Sequence, residues 1–301
     1  MKQQYNEWRD RYDEIGQGRH SVVYKGRKKQ TIKYVAIKSV EKDQREKITR
    51  EVRILSRIKH PNCLHFFNWY ETRNHIWLVL EYCTGGDLLR VLKDDRHLPS
   101  SALKVLGVDL LSGLHYLHSH GILYCDLKPS NVLIDEYGVL KLCDFGLARK
   151  IPRSTGNKAR KRGTPCYMAP ELFTEDGVYS IASDLWGLGC LLYEMAVGKP
   201  PFVSSGFEDL VHLIMTAPVP LSAEDTLANS DGMVELDEEL KDLLRGLLRK
   251  VPIDRRRWPE LLDHRFWDAC PTPFLAEMPE EPLYDKMMAP CPSYNALLAL
   301  P

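Results

Sequence analysis

The sequence predicts an α+β fold in two parts, a small β-rich part carrying one helix and a larger, mainly helical part. Three observations predict it. From about Arg11 to Cys83 the short runs VVYKG, YVAIK and HIWLVLEYC are rich in β-branched and aromatic residues and are broken by glycine or charge. One helical pattern interrupts them, from about Arg45 to Ile58, with Ile48, Val52, Leu55 and Ile58 on one face and a stop before His60-Pro61-Asn62. After Thr84-Gly85-Gly86-Asp87 the periodicity changes: Leu103, Leu106, Leu110, Leu114 and Leu117 recur at spacings of three and four, a core-facing stripe that ends near Gly121. Two further apolar helices are expected over roughly Asp184 to Val197 and Glu238 to Arg249. The expected organisation is an extension over 1–11, the small part over 12–83, the larger part over 84–268 and a tail over 269–301. In that tail a proline recurs every few residues and little periodicity survives.

Composition narrows the function classes. Lysine plus arginine equals aspartate plus glutamate at 41 each in 301 residues, so no net charge draws the chain to nucleic acid or to a membrane surface. Eight cysteines are scattered without a C-x-x-C pair, which reads as reduced thiols of an intracellular protein, not as a disulfide frame or zinc site. The start, MKQQYNEWRDRYDE, has no apolar signal core, and nowhere do about eighteen uncharged apolar residues run together. The expectation is a soluble, cytoplasmic protein.

The chemistry begins at Ile15-Gly-Gln-Gly-Arg-His-Ser-Val-Val23, between two predicted strands. Glycines let a backbone approach phosphate oxygens and turn N–H groups toward them, but Gly16 and Gly18 alone also fit a plain structural turn, and Ser21 stands where a third glycine would be expected. Val35-Ala36-Ile37-Lys38 follows, an apolar strand whose lysine needs a carboxylate partner because a buried ammonium is costly alone. Glu51, just off the apolar face of the predicted helix, is suited to that role. Asp126, Lys128 and Asn131 then fall in one short loop, and two β-rich runs, NVLID and VLKLC, joined by a turn, lead to Asp144-Phe145-Gly146. Asp126 is placed to accept a hydroxyl proton while Lys128 neutralises a transferred phosphoryl group. Asn131 and Asp144 offer an amide and a carboxylate oxygen, the donor set of a magnesium ion that completes its shell with water and phosphate. His115, His118 and His120 end an ordinary amphipathic helix, which gives a metal site there little support.

These motifs, in this order, resemble those of eukaryotic protein kinases over roughly residues 12–268: the glycine-rich loop, V-A-I-K, D-L-K-P-S-N, D-F-G and M-A-P-E. D-L-K-P and G-T-P-C-Y-M-A-P-E are similar to the serine/threonine class. W-L-V-L-E-Y-C-T-G-G-D-L, Y-C-D-L-K-P-S-N, K-R-G-T-P and R-R-W-P-E-L-L resemble the RUNKEL and Fused branch of the uncoordinated-like kinases. The resemblance implies a bilobal kinase fold and an ATP- and Mg2+-dependent transfer to protein hydroxyls. It implies that Ile15, Gly16, Gly18, Ser21, Val23, Ala36, Leu80, Glu81, Cys83 and Leu133 surround the nucleotide, with the Glu81 and Cys83 backbone at the adenine edge. Lys38, paired with Glu51, would hold the α- and β-phosphates, Asp126 would be the base, Lys128 the γ-phosphate contact, and Asn131 and Asp144 the metal ligands. Thr164 would bond the catalytic aspartate, Asp184 would brace the catalytic loop, and Glu171 would pair with an arginine near Arg255. Members of that branch are associated with microtubules, cytokinesis and cilia, so protein substrates and microtubule-associated partners are implied, with placement at the cytoskeleton or cilium. Several members are degenerate in catalysis, so the resemblance also carries an alternative, an ATP-binding scaffold without transfer.

Three positions depart from the family pattern. Tyr124 replaces a histidine of similar size, and Ser21 adds a small side chain to the phosphate loop. Cys125 replaces the arginine that holds a phosphorylated activation loop through charge-assisted hydrogen bonds, which a neutral thiol cannot make. Control by phosphorylation of Ser154 or Thr155 is therefore expected to be weak. The segment from Arg149 to Arg162 carries seven basic residues and no acidic one. It is expected either to be a solvated basic loop or to dock acidic protein segments, the acidic stretch from Glu224 to Asp242 among them.

Overall fold

The computed structural model describes residues 13–18, 20–151, 163–222 and 235–268. The basic segment beyond Ile151, most of the acidic stretch and the proline-rich tail lie outside the described residues. The chain divides into two compact units, one formed up to Gly86 together with 133–148, the other by Asp87–Val132 with the chain from Arg149 onward.

The first unit is an antiparallel sheet of β1 (Asp13–Gly18), β2 (Ser21–Arg27), β3 (Tyr34–Glu41), β4 (Phe66–Glu71) and β5 (His75–Glu81), in the order β1-β2-β3-β5-β4. β3 and β5 are the central strands and carry its most buried residues, Ile37, Ile76, Leu78 and Val79, as expected of near-continuous apolar runs inside a sheet. A strand was expected ahead of Ile15, and β1 instead runs through it to Gly18; β4 was not anticipated. β1 (DEIGQG) is mostly exposed, and β4 (FFNWYE) is an edge strand that alternates in burial but carries Phe67 and Trp69 on its exposed side, so neither sequence alternates apolar with polar.

Helix α1 (Arg45–Leu55) buries Ile48, Val52 and Leu55, the predicted stripe, and Glu51 with them. It stops at Leu55 instead of continuing to Ile58. The N–H groups of Arg57 and Ile58 bond the carbonyls of Ile54 and Leu55, three residues back, a tightened turn that closes the helix ahead of His60-Pro61. The hairpin of Val132–Ile134 and Leu140–Leu142 is present, and Leu142 exchanges backbone hydrogen bonds with Asn62 and Leu64.

The second unit contains α2 (Leu88–Asp95), α3 (Ser100–Ser119), α4 (Ile181–Val197), α5 (Phe207–Thr216), α6 (Glu238–Leu247) and α7 (Trp258–Leu262). α4 packs against both α3 and α6 and is buried along its whole length, which its nearly unbroken apolar sequence requires. It begins at Ile181, three residues before the expected start, because Ser180 and Ser183 form a reciprocal cap. It ends at Gly198, where φ is +87° and a Cβ would lie 2.4 Å from the Arg96 carbonyl, so only glycine fits.

Arg255 meets Glu171 in a two-pronged ion pair at 2.6 and 2.7 Å, and also donates to the carbonyls of Ala182, Arg249 and Lys250. Both residues are buried. The pairing implied by the family resemblance is thus geometrically present, and the guanidinium gathers three chain segments around one charge.

Candidate active site

Within the first unit the strand register sets the site. Lys38 on β3 faces Val23 of β2 and Leu78 of β5, and Ala36 faces Leu80. Alternation therefore puts Val23, Ala36, Lys38 and Leu80 on one face of the sheet. Lys38 Nζ lies 2.9 Å from Glu51 Oε1 on α1 and 3.6 Å from Asp144 Oδ1. Burial alone would pull this ammonium down, but Glu51 and Asp144 outweigh it and hold it above its ordinary value. Lys38 therefore stays a cation between two carboxylates. Glu51 Oε2 is buried with no partner among the described residues, so the whole hydrogen bond of that carboxylate to the lysine rests on Oε1.

The glycine-rich segment is the end of the β1–β2 hairpin, with Gly16 opposite Val23 and Gly18 opposite Ser21. A Cβ on Gly18 would stand 2.8 Å from Ser21 Oγ. A side chain at position 18 would thus require the Ser21 hydroxyl to rotate away. Ile15, the first apolar residue of the loop, is 44% exposed, which leaves its side chain available to a ligand. Glu81 ends β5; its N–H donates to the His65 carbonyl and its side chain pairs with Lys141 Nζ at 3.0 Å. Cys83 is buried, and burial pushes its thiol up to about 12, so it serves as a small apolar wall. Leu133 belongs to this same unit, in the Val132–Ile134 strand, and is half-buried.

The second unit holds the catalytic-loop group. Asp126 accepts from Lys128 Nζ at 2.9 Å and Asn131 Nδ2 at 2.8 Å on Oδ2, and from Thr164 Oγ1 at 3.3 Å on Oδ1. Lys128 Nζ also donates to Thr164 Oγ1 at 2.8 Å. The expected base is therefore oriented by three groups from two chain segments. With the Asn131 amide nitrogen spent on Asp126, its Oδ1 is left as the acceptor of that side chain; in the first unit, Asp144 carries a half-exposed carboxylate. Each is a hard oxygen of the kind magnesium takes beside water and phosphate.

Asp184 braces this loop from α4. Its Oδ2 accepts the Tyr124 N–H and its Oδ1 the Cys125 N–H, both at 2.8 Å. Cys125 has φ +67°, a left-handed conformation that a non-glycine residue adopts only when held, and the paired amide contacts hold it. Tyr124, fully buried, donates its hydroxyl to the Asn131 carbonyl at 3.2 Å and closes the loop from beneath.

A match to the protein kinase domain extends over residues 9–267. The chain belongs to the protein kinase family. Among curated relatives of this kinase chain, Serine/threonine-protein kinase RUNKEL of Arabidopsis thaliana is 49% identical over 281 residues, covering 92% of this chain and 20% of that protein. Serine/threonine-protein kinase ULK4 of Mus musculus is 42% identical over 283 residues, covering 85% and 21%. Serine/threonine-protein kinase fused of Drosophila melanogaster is 37% identical over 257 residues, covering 84% and 30%. The kinase chain spans about a fifth to a third of the length of these relatives.

Sequence reasoning missed three participants. Lys141 is buried among Glu81, Asp135 and the Pro61 carbonyl, and ties the end of β5 to the hairpin before Asp144. The alternating Leu140-Lys141-Leu142 run hides it, because a lysine between two apolar strand residues usually points to solvent. Arg149 lies over the Tyr179 ring at 4.6 Å and bonds the Cys125 thiol. His118 bonds Asp184 at 2.9 Å, so its role is structural and not metal binding.

Proposed function

We propose that the chain is an active serine/threonine protein kinase that transfers the γ-phosphoryl of ATP to protein hydroxyls. The observation that carries this is the Asp126 carboxylate, fixed by Lys128, Asn131 and Thr164, in a chain that also retains the buried Lys38–Glu51 pair. Asp126 accepts the proton of the substrate hydroxyl as the oxygen attacks phosphorus, and Lys128 offsets negative charge on the phosphoryl group. Lys38, held as a cation, takes the α- and β-phosphate oxygens. The Asn131 amide oxygen and the Asp144 carboxylate are each suited to hold magnesium, which would neutralise phosphate charge. The complete set disfavours a scaffold without transfer, since a site released from catalysis has no reason to keep four cooperating ionic groups.

The test is phosphate transfer to a generic basic protein by the chain as it stands, beside a thermal-shift titration with ATP with and without magnesium. Transfer above an Asp126→Asn control, and an ATP shift that grows with magnesium, are expected. Magnesium-independent binding with no transfer above that control would make the chain a nucleotide-binding scaffold.

Control is proposed to depend little on loop phosphorylation. Cys125 is buried, and burial followed by Asp184 raises its thiol well above the usual range against the pull of Arg149, so it carries no charge toward a phosphate. Arg149 is committed to the Tyr179 face and the Cys125 thiol. Alanine or acidic substitutions at Ser154 and Thr155 are expected to change turnover by less than about tenfold, roughly 1.4 kcal/mol in barrier; a larger effect in a kinetic assay overturns this reading. Action on microtubule- or cilium-associated proteins rests on the family resemblance alone, and imaging of a tagged chain against a tubulin marker tests it.

A further inference from the structure

The catalytic loop is held by Asp184, and Asp184 is itself held from the far side. His118, in the last turn of α3, is buried with both ring nitrogens engaged. Its Nε2 is 2.9 Å from Asp184 Oδ2, and its Nδ1 is 3.0 Å from Trp258 Nε1. An indole nitrogen only donates. Nδ1 must therefore offer its lone pair to Trp258, and the single ring proton must sit on Nε2, directed at the Asp184 carboxylate. Trp258, at the start of α7, is 1% exposed and sits edge-on to His115 with ring centroids 4.8 Å apart, so the direction of its N–H is set by packing.

We infer that Trp258 is a positioning residue for the catalytic loop, acting through His118 and Asp184. By donating to Nδ1 it selects the Nε2–H tautomer of His118. That tautomer gives Asp184 a donor on Oδ2 and leaves both carboxylate oxygens aligned with the Tyr124 and Cys125 amides, at 2.8 Å each. Those amides hold the left-handed turn at Cys125, and the next residue is the base, Asp126. Without the indole N–H, the Nδ1–H tautomer becomes accessible, and its Nε2 lone pair would face the carboxylate. Asp184 would then turn, and the amides of the loop would lose a partner.

The effect on turnover rests on the kinase reading; the relay itself does not. The test compares wild type, Trp258→Phe, His118→Gln and the double variant as full chains. Phenylalanine keeps most of the aromatic packing and removes only the donor. In wild type, long-range nitrogen–proton NMR spectra should show His118 wholly as the Nε2–H tautomer, with the Tyr124 and Cys125 amides protected from exchange. Trp258→Phe should mix the tautomers and speed exchange of those two amides by roughly tenfold relative to the Leu188 amide of α4. It should also lower kcat by roughly fivefold to tenfold with KM for ATP within about twofold.

Glutamine at 118 has an amide nitrogen that donates in every state, so adding Trp258→Phe in that background should change kcat and exchange by less than about twofold. Equal effects of Trp258→Phe in both backgrounds would reduce Trp258 to packing and overturn the inference, as would an unchanged His118 tautomer. If Trp258→Phe does not fold, the wild-type tautomer decides: an Nδ1–H state there overturns it. If wild type transfers no phosphate, the kinase reading fails while the tautomer and exchange results still decide the relay.

Discussion

Lys38 shows how a single residue couples packing to chemistry. It lies in a strand whose neighbours are buried, and Glu51 and Asp144, within 3.6 Å, outweigh the burial that disfavours its charge. Replacing Glu51 with glutamine removes the charge that opposes burial while preserving shape. The ammonium should then drift toward Asp144 and lose its hold on phosphate oxygens. We expect Glu51→Gln to lower kcat/KM for ATP by about tenfold to a hundredfold, roughly 1.4 to 2.7 kcal/mol, as read from initial rates across ATP concentrations. Thr164 acts differently, since its hydroxyl bridges Lys128 and Asp126 without making an ion pair of its own. Thr164→Val should therefore lower kcat by about tenfold and leave KM for ATP within about twofold, a split that steady-state kinetics resolves. Lys38, Asp126 and Lys128 stood out in the sequence because each sits in a short motif, and Glu51 because it lies just off the apolar face of a predicted helix. His118 and Trp258 were not, because a bond across 140 residues of chain has no local spacing to betray it.

At the scale of elements, periodicity carried information in proportion to one-sided burial. α1 showed its face clearly, with Ile48, Val52 and Leu55 all buried, and only its last turn was misplaced. α2, eight residues that bury only Leu88 and Leu92, and α5, which buries only Leu210 and Ile214, leave too few core positions to announce themselves. The Arg255–Glu171 pair joins elements that no pattern connects: the segment before α7, the loop carrying Glu171 and, through Ala182, the first turn of α4. Ser183 adds a hydrogen bond to Glu171 at 2.8 Å, so this carboxylate is fully committed. Removing the guanidinium leaves a buried carboxylate without its counter-charge. Arg255→Met should cost about 3–5 kcal/mol of stability, visible as a lower midpoint in urea unfolding. A shift under about 1 kcal/mol would mean that water compensates Glu171.

For the molecule as a whole, equal numbers of acidic and basic residues mean that net charge contributes little self-repulsion near neutrality, so its pH response is governed by individual buried groups. Lys250 is the clearest of these. Its ammonium donates to the Ile214 carbonyl at 2.8 Å and lies over the Phe202 ring at 4.0 Å and the Trp186 ring at 5.2 Å, where aromatic faces and one carbonyl replace bulk water. Burial pulls it down from 10.5 to about 8. Its folded-state value is thus below its unfolded one, so between about pH 8 and 10.5 the unfolded chain holds a proton that the folded chain has released. The folded state carries the penalty in full below pH 8 and is relieved of it as pH rises through that window. Since Lys250 is only half-buried, solvent screening reduces the full linkage value to the order of 1 kcal/mol. Lys250→Met removes this proton from both states and leaves the other titrating groups in place. The stability of wild type relative to Lys250→Met should therefore rise by that amount between about pH 7.5 and 10, measured by urea unfolding at each pH. A flat difference would show that Lys250 keeps its ordinary affinity for protons inside the folded chain.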